Sequence, residues 1–363
     1  MEILIENIDA LMGFLTSLVV VAVVILVLKR FAGRLGLVDK PNARKVHAKP
    51  VPVVGGLAIG ITFIMSLLLS SAFLEAASRH IVVISASMFL MIVGILDDKL
   101  NLKASHRLLL QFLCGYAIVS SGIRLTSLYG VFGVGELNTI VSYVLSIFLI
   151  VGVVNAFNLI DGIDGLAGFL SLIGFGIFSY ISFRLNDFTL LIILVALMGS
   201  ICGFLAYNLS KNKIFLGDGG SLFLGFMMVS IGLQLIEQSK VATDIEVGNT
   251  VSVVFGVFLI PVLDSLRVYW GRMQRGFSPF RADKSHIHHL FLFFKISHKR
   301  ATMSIVLSAS ILIALLVVLC RSYGLSSAIF TVSILFLCVT AILSGVQKLG
   351  EWRKKITELE NRC

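Results

Sequence analysis

Long apolar runs alternate with short polar segments along nearly the whole 363-residue chain. A helix needs about 20 mostly apolar residues to cross a bilayer. Eleven segments approach or reach this length, at roughly 11–28, 51–73, 81–96, 108–122, 139–160, 166–183, 188–208, 220–236, 250–266, 302–320 and 325–346. The pattern predicts an all-α, polytopic integral membrane protein of about eleven transmembrane helices. We expect a single transmembrane catalytic domain, residues 1–346, and a C-terminal tail, residues 347–363.

Composition supports the bilayer as the surroundings of this fold. The chain is 57% hydrophobic and only 14% charged, whereas soluble domains carry about 25% charged residues. The mean hydropathy is +0.99. Within the seventh segment, Gly199 and Gly203 form a GxxxG pattern, which predicts close contact with another helix.

The basic residues lie overwhelmingly on one side of the predicted membrane. The tail and the odd-numbered loops hold 25 of the 30 Lys and Arg residues. These loops are 29–50, 97–107, 161–165, 209–219 and 267–301. Because cytoplasmic loops are enriched in basic residues, we expect them on the cytoplasmic face, with the N-terminus outside and the C-terminus inside. The net charge of +10 then reflects topology and contact with anionic lipid, and no nucleic-acid partner is expected.

Every polar cluster also falls in these odd loops, and the even loops contain no comparable group. A solute transporter, the alternative class, would place functional polar groups where both sides of the membrane can reach them. One-sided clusters instead favour an interfacial enzyme, with one soluble substrate from the cytosol and one in the lipid. The predicted active site lies on the cytoplasmic face of the membrane.

Carboxylates and glycines dominate these clusters. The carboxylates are Asp97, Asp98, Asp161, Asp164 and Asp218. Hard oxygen donors of this kind bind Mg²⁺ or Mn²⁺, and Mg²⁺ is usually held by one or two carboxylates together with substrate phosphates. Glycines beside them let the backbone approach a phosphate closely. The residues therefore predict metal-dependent phosphoryl transfer.

Four motifs, "DDKLN", "NAFNLIDGIDGLAG", "FLGDGGSLFLGF" and "SPFRADKSHIHHL", together with an N-terminal "GLVDKPNARKVH", occur in order along almost the whole chain. They resemble the signatures of the polyprenyl-phosphate N-acetylhexosamine-1-phosphate transferases. The resemblance is closest to the bacterial enzymes that act on undecaprenyl phosphate. It implies transfer of N-acetylglucosamine-1-phosphate from UDP-N-acetylglucosamine to undecaprenyl phosphate, with release of UMP. That reaction would be the first membrane step of an O-antigen, common-antigen or teichoic-acid type polysaccharide.

The resemblance also implies roles for individual residues. Asp97 and Asp98 match the paired aspartates near the lipid phosphate, Asp98 being a candidate metal ligand as well. Asp218 matches the metal-binding aspartate, and Asp161 and Asp164 are candidate catalytic carboxylates. The candidate substrate-binding residues are Asn155, Asn158, Asn208, Arg281, His286, His288, His289, Lys45 and His47.

Several alternatives stay open from the sequence. The sugar could be another N-acetylhexosamine or phospho-muramoyl-pentapeptide, and a homodimer is a candidate assembly. Asn101 stands where many relatives have a third aspartate. Asp264 could pair with Arg267 or contact substrate. The lipid phosphate could attack directly, with Asp97 as the base, or an aspartate could first form a covalent intermediate. The division of roles between Asp161 and Asp164 is also undetermined.

Overall fold

The computed structural model describes residues 2–39, 50–68, 71–242, 246–278 and 285–360. Helices make up almost all of it. They are α1 (Glu2–Leu35), α2 (Gly55–Leu67), α3 (Ser71–Arg79), α4 (Ile81–Leu100), α5 (Ala104–Ser120), α6 (Thr139–Ile160), α7 (Leu166–Arg184), α8 (Phe188–Asn208), α9 (Gly217–Ser239), α10 (Val247–Met273), α11 (Ile287–Phe293), α12 (His298–Tyr323) and α13 (Leu325–Glu360). The strands β1 (Val38–Asp39) and β2 (Val51–Pro52) form one short antiparallel pair.

Ten of the eleven predicted segments lie largely within one helix each, whereas segment 51–73 begins in β2 and includes α2 and the start of α3. Within the described residues, nine helices are long and apolar enough to cross a membrane, and α2 with α3 would add a tenth. Those two helices are bent by 116° at their junction. Helix α5 has only 17 residues, fewer than the roughly 20 that a span needs. The all-α membrane fold is confirmed, while the count of eleven and the orientation stay predictions.

The observed loops are shorter than the predicted ones because helices extend into them. The last turn of α4 contains Asp97 and Asp98, and α9 begins at Gly217, before Asp218. The predicted loop 267–301 holds the end of α10, all of α11 and the start of α12. The predicted tail continues α13 as far as Glu360. Several of the polar motif residues are therefore held on rigid helix ends.

Helix α9 lies at the centre of the bundle. Its apolar stretch is 94% buried, whereas those of α1 and α13 are only 22% and 17% buried and leave most of their surface for lipid. It contacts α2, α4, α6, α7 and α10. Lipid tails are as apolar as leucine side chains, so membrane helices associate through close packing of small residues.

Glycines make these close approaches possible. A Cβ at Gly56 in α2 would lie 2.2 Å from the backbone nitrogen of Gly220 in α9. A Cβ at Gly94 in α4 would lie 2.5 Å from the carbonyl group of Asp218. The GxxxG prediction is confirmed as well, because a Cβ at Gly199 in α8 would lie 2.3 Å from the carbonyl oxygen of Phe14 in α1.

The α4–α9 contact yields a stability prediction. Gly94→Ala forces the N-terminus of α9 away from α4, and such overpacking costs about 1–3 kcal/mol. We expect a lower unfolding temperature in detergent, measured by intrinsic fluorescence. Gly152→Ala is the matched control, since a Cβ on that exposed face of α6 meets nothing within 4 Å and alanine favours helix. Equal unfolding temperatures for the two variants would contradict the packing argument.

Candidate active site

Three helix ends meet at one end of the bundle and bring four carboxylates together. Asp97 and Asp98 lie in the last turn of α4, Asp161 is the residue that ends α6, and Asp218 lies in the first turn of α9. All four line an open cavity of about 760 Å³. The predicted clusters at 97–98, 161 and 218 thus form one acidic pocket.

Arg107, in the first turn of α5, joins two of these carboxylates. Its Nη1 donates to Asp97 Oδ2 at 2.6 Å and to Asp218 Oδ2 at 3.3 Å. The backbone N–H of Leu102 donates to the other oxygen of Asp97 at 2.8 Å. Both oxygens of the buried Asp97 are therefore occupied by donors within the protein, and Arg107 partly neutralises the pocket.

Asp98 and Asp218 are held at the N-terminus of α9. The backbone N–H of Gly219 donates to Asp98 Oδ2 at 3.5 Å, where the positive end of the helix favours an anion. Asn158, in the last turn of α6, donates through Nδ2 to Asp218 Oδ1 at 3.0 Å and to Ser221 Oγ at 2.8 Å. Asn158, a candidate substrate-binding residue, is therefore hydrogen-bonded directly to Asp218, the candidate metal ligand.

Asp161 is the carboxylate whose charge is least compensated. Burial raises the pKa of Asp161 to about 8, and the neighbouring charges of Asp218, Asp98 and Asp164 add to the effect. No hydrogen bond reaches its carboxyl group from the described part of the chain. A cation in the pocket would favour its ionised form.

Asp164 has a different environment. Lys213 Nζ donates to its two carboxylate oxygens at 2.8 and 3.1 Å, His298 Nδ1 lies 3.7 Å away, and Thr302 donates to its backbone carbonyl at 2.8 Å. Burial raises the pKa of Asp164, but the nearby His298 and the hydrogen bonds from Lys213 outweigh burial and leave the pKa below its ordinary value. Asp164 thus ties the turn after α6 to Lys213 and α12.

The histidine segment is fixed by Asp264 of α10. His286 Nδ1 lies 2.9 Å from Asp264 Oδ2, and the backbone N–H of Ile287 donates to Asp264 Oδ1 at 3.0 Å. Arg267 donates to Asp264 at 2.6 Å and to the carbonyl of Ser285 at 2.7 Å. Pairing of Asp264 with Arg267 is thereby confirmed, and His286 completes the network.

The other two histidines divide between core and cavity. His288 is 3% exposed and packs against Gly162, where a Cβ would lie 2.2 Å from His288 Nε2. Burial lowers the pKa of His288 to about 3, and the charges of His289 and His286 act in the same direction. Of the three histidines in this segment, His289 lines the acidic pocket.

The remaining predicted residues are distributed unevenly. Asn208 lines the pocket and donates to the carbonyl of Ile214 at 2.8 Å. Asn155 does not line it; its Nδ2 donates to Gln111 Oε1 at 2.6 Å. Lys45, His47 and Arg281 lie outside the described residues.

Sequence reasoning did not single out Arg107, Lys213 or His298, which all line the pocket. The chain contained one usable signal for them, because each is a basic residue in a segment predicted to be cytoplasmic and close to a motif. Their partners could not be identified from that position alone.

The donors in this pocket fit a hard divalent cation. Asp98, Asp161 and Asp218 supply carboxylate oxygens, and burial, followed by the charges of Asp218, Asp98 and Asp164, raises the pKa of Asp161. Among the described residues, no group of three His, Cys, Asp or Glu side chains is already arranged as a metal site. Mg²⁺ is usually held by one or two protein carboxylates, with substrate phosphates and water completing the ligand set.

Comparison with known proteins gives consistent matches. The model of glycosyl transferase family 4 matches residues 80–236. A Bacillus subtilis (strain 168) protein, described as a probable undecaprenyl-phosphate N-acetylglucosaminyl 1-phosphate transferase, is 33% identical over 353 residues, which is 96% of each chain. The undecaprenyl-phosphate alpha-N-acetylglucosaminyl 1-phosphate transferase of Yersinia pestis is 30% identical over 79% of this chain and 78% of its own. The Escherichia coli (strain K12) protein of the same description is 29% identical, over 78% and 77%.

The buried His288 gives a pH prediction. In the folded chain the pKa of His288 is about 3, below the ordinary 6.5. Between about pH 3 and pH 6.5 the His288 side chain is therefore protonated in the unfolded chain but not in the folded one. Stability is therefore lost as pH falls below 6.5, by at most about 1.4 kcal/mol per pH unit. When the pH is lowered from about 7 to about 5, we expect the unfolding temperature of His288→Asn to fall less than that of the unmodified chain. His106→Asn, at an exposed position on α5, should keep the original dependence, and an unchanged dependence in His288→Asn would contradict this account.

Proposed function

The chain belongs to the family of undecaprenyl-phosphate N-acetylglucosaminyl 1-phosphate transferases, and from this premise we propose that it transfers N-acetylglucosamine-1-phosphate from UDP-N-acetylglucosamine to undecaprenyl phosphate, releasing UMP. The observation that carries the proposal is the acidic pocket, where Asp97, Asp98, Asp161 and Asp218 meet at one end of the transmembrane bundle. A site at a helix end can take one substrate from water and the other from the bilayer.

We propose Mg²⁺ or Mn²⁺ as the cofactor, held by Asp218 with Asp98 and Asp161. When bound, the ion would neutralise charge on the pyrophosphate and orient it. Around it the chain's own basic side chains would bind phosphate oxygens. His289, His298 and Lys213 line the same pocket. Lys45, His47 and Arg281 remain proposed substrate contacts on the basis of the motifs, as does Asn155.

The geometry supports different roles for the individual aspartates. Asp97 has both oxygens engaged by Arg107 and Leu102, so we assign it to positioning Arg107 rather than to proton removal. Asp164 is likewise engaged and braces the turn after α6. Asp98 and Asp161 are the carboxylates with free capacity toward substrate. This assignment replaces Asp97 as the proposed base.

We favour direct attack of the lipid phosphate on the β-phosphorus. The second pKa of a phosphate monoester is about 6, so the attacking oxygen is already largely anionic near neutral pH and needs little activation. In that reaction a new bond forms between the lipid phosphate oxygen and the β-phosphorus, while the bond between the β-phosphorus and the bridging oxygen of the nucleotide sugar breaks and UMP leaves with that oxygen. Binding and alignment then account for most of the catalysis.

The distribution of basic residues supports placing the pocket on the cytoplasmic side of a bacterial inner membrane, where UDP-sugars are available. Transfer of another N-acetylhexosamine, or of phospho-muramoyl-pentapeptide, is the alternative within the family. The product would enter synthesis of an O-antigen, common-antigen or teichoic-acid type polysaccharide. A homodimer is the candidate assembly.

The reaction is tested with purified protein, undecaprenyl phosphate, Mg²⁺ and a panel of UDP-sugars, by measuring UMP. We expect UMP with UDP-N-acetylglucosamine, and loss of at least about 100-fold in kcat for Asp218→Asn, comparable to removing a main electrostatic stabiliser. Asp9→Asn, at the opposite end of the bundle, should keep full activity. Absence of UMP with every sugar would refute the reaction class, and full activity of Asp218→Asn would remove its metal role.

Direct attack makes a separate prediction about isotope exchange. Delipidated enzyme should not exchange labelled UMP into UDP-N-acetylglucosamine, because no covalent phosphosugar forms without the lipid phosphate. Adding back undecaprenyl phosphate should restore exchange and serves as the control. Rapid exchange in rigorously delipidated enzyme would establish a covalent aspartyl intermediate instead.

A further inference from the structure

A second cavity lies at the opposite end of the bundle, between the ends of α7, α10 and α12. It has a volume of about 640 Å³. Arg184 ends α7, Arg321 lies in the last turn of α12, and Glu246 immediately precedes α10. The other ends of these helices lie beside the acidic pocket, so this groove faces the other side of the membrane.

Two cations converge on the groove. Only five of the 30 Lys and Arg residues fall in the even loops of this face, and Arg184 and Arg321 are two of them. Arg321 Nε lies 3.5 Å from Asn249 Oδ1, and Asn249 Nδ2 donates to Glu246 Oε2 at 3.0 Å. Arg184 Nη1 donates to the Tyr180 hydroxyl at 3.2 Å. Among the described residues that line the groove, one carboxylate and two guanidinium groups give a formal charge of +1.

Thr250 supplies an independent sign of a ligand. It lines the groove and is 2% exposed. Its Oγ1 has no hydrogen-bond partner among the described residues, although a helical threonine commonly donates to the carbonyl four residues earlier. A buried hydroxyl without a partner is unfavourable, and a polar ligand group in the groove would satisfy it.

The rest of the groove is apolar. Its walls include Ile177, Ile181, Val253 and Val317, from helices whose outer surfaces face lipid. An anionic phospholipid such as phosphatidylglycerol has a net charge of −1, which matches the described lining, whereas phosphatidylethanolamine and phosphatidylcholine also carry a cationic group. Guanidinium groups bind phosphate oxygens in paired geometry. A basic pocket between transmembrane helices, continuous with apolar walls, is suited to a lipid headgroup and its acyl chain.

We propose that this groove binds one anionic phospholipid, with its phosphodiester at Arg184 and Arg321 and an acyl chain along Val253 and Val317. The bound lipid joins the outer ends of α7, α10 and α12. The inner ends of α10 and α12 carry Asp264 and His298, which fix the histidine segment and Asp164. The site does not depend on the proposed reaction, and its test needs no turnover.

The test is native mass spectrometry of the purified full chain in detergent. It is titrated with phosphatidylglycerol, phosphatidylethanolamine and phosphatidylcholine of identical acyl chains. We expect one phosphatidylglycerol to bind at least about 10-fold more tightly than the other two. Arg321→Gln and Arg184→Gln should each weaken it by about 10-fold, the equivalent of one charge-assisted hydrogen bond. Val317→Trp, which fills the apolar wall without changing charge, should weaken all three lipids.

Arg79→Gln is the matched control, because Arg79 is a basic residue on the same membrane face that pairs with Glu75 at 2.7 Å, outside the groove. It should bind phosphatidylglycerol as the unmodified chain does. Unfolding temperatures identify any variant that fails to fold, and the remaining variants then decide the result. Equal affinity for the three lipids, or equal binding by Arg321→Gln, Arg184→Gln and Arg79→Gln, would overturn the proposal.

Discussion

Mutual repulsion among four carboxylates is the constraint on which the architecture of the site depends. Asp97, Asp98, Asp161 and Asp218 share one cavity at the end of a bundle that otherwise contains few charges. Arg107 offsets part of this charge through Asp97 and Asp218. The remaining negative charge acts on Asp161. Burial, together with the neighbouring carboxylates, raises the pKa of Asp161 to about 8. A protein gains no stability from such a cluster, which is why it indicates binding of a cation or a cationic complex.

The fold keeps these groups together through close packing of α9. Gly94 and Gly56 allow α4 and α2 to approach the first turn of α9, and this fixes Asp218 next to the end of α4. Since α9 is enclosed on nearly all sides, its N-terminus cannot move without displacing several helices. The charge repulsion at the site is thus resisted by packing in the bundle, and the positions of the carboxylates are set before any substrate binds.

The sequence predicted the membrane class and the helical segments well, because uncharged runs such as 139–160 are a strong and local signal. It also predicted that the motifs containing Asp97, Asp161 and Asp218 would lie together on one face. It could not predict pairings between distant positions. Arg107 and Asp218 are 111 positions apart, and nothing in either segment identifies the other as its partner.

The same limit explains the other differences at the site. The motif containing Asp161 and Asp164 makes the two aspartates look equivalent, and only the fold separates them by bringing Lys213 and His298 to Asp164. Similarly, three neighbouring histidines look alike in sequence, whereas His288 is buried against Gly162 and His289 faces the pocket. Asn155 matches the motif but is bonded to Gln111 in α5, a contact determined by helix packing.

The central claim is that the acidic pocket binds the metal and the nucleotide-sugar pyrophosphate together. The most direct measurement is an anomalous-scattering map of crystals grown with Mn²⁺ and UDP-N-acetylglucosamine. The account predicts one strong manganese peak within coordination distance of Asp218, with Asp98 or Asp161 beside it and the pyrophosphate in contact with the ion. A peak elsewhere in the chain, or a nucleotide sugar bound away from these carboxylates, would contradict it.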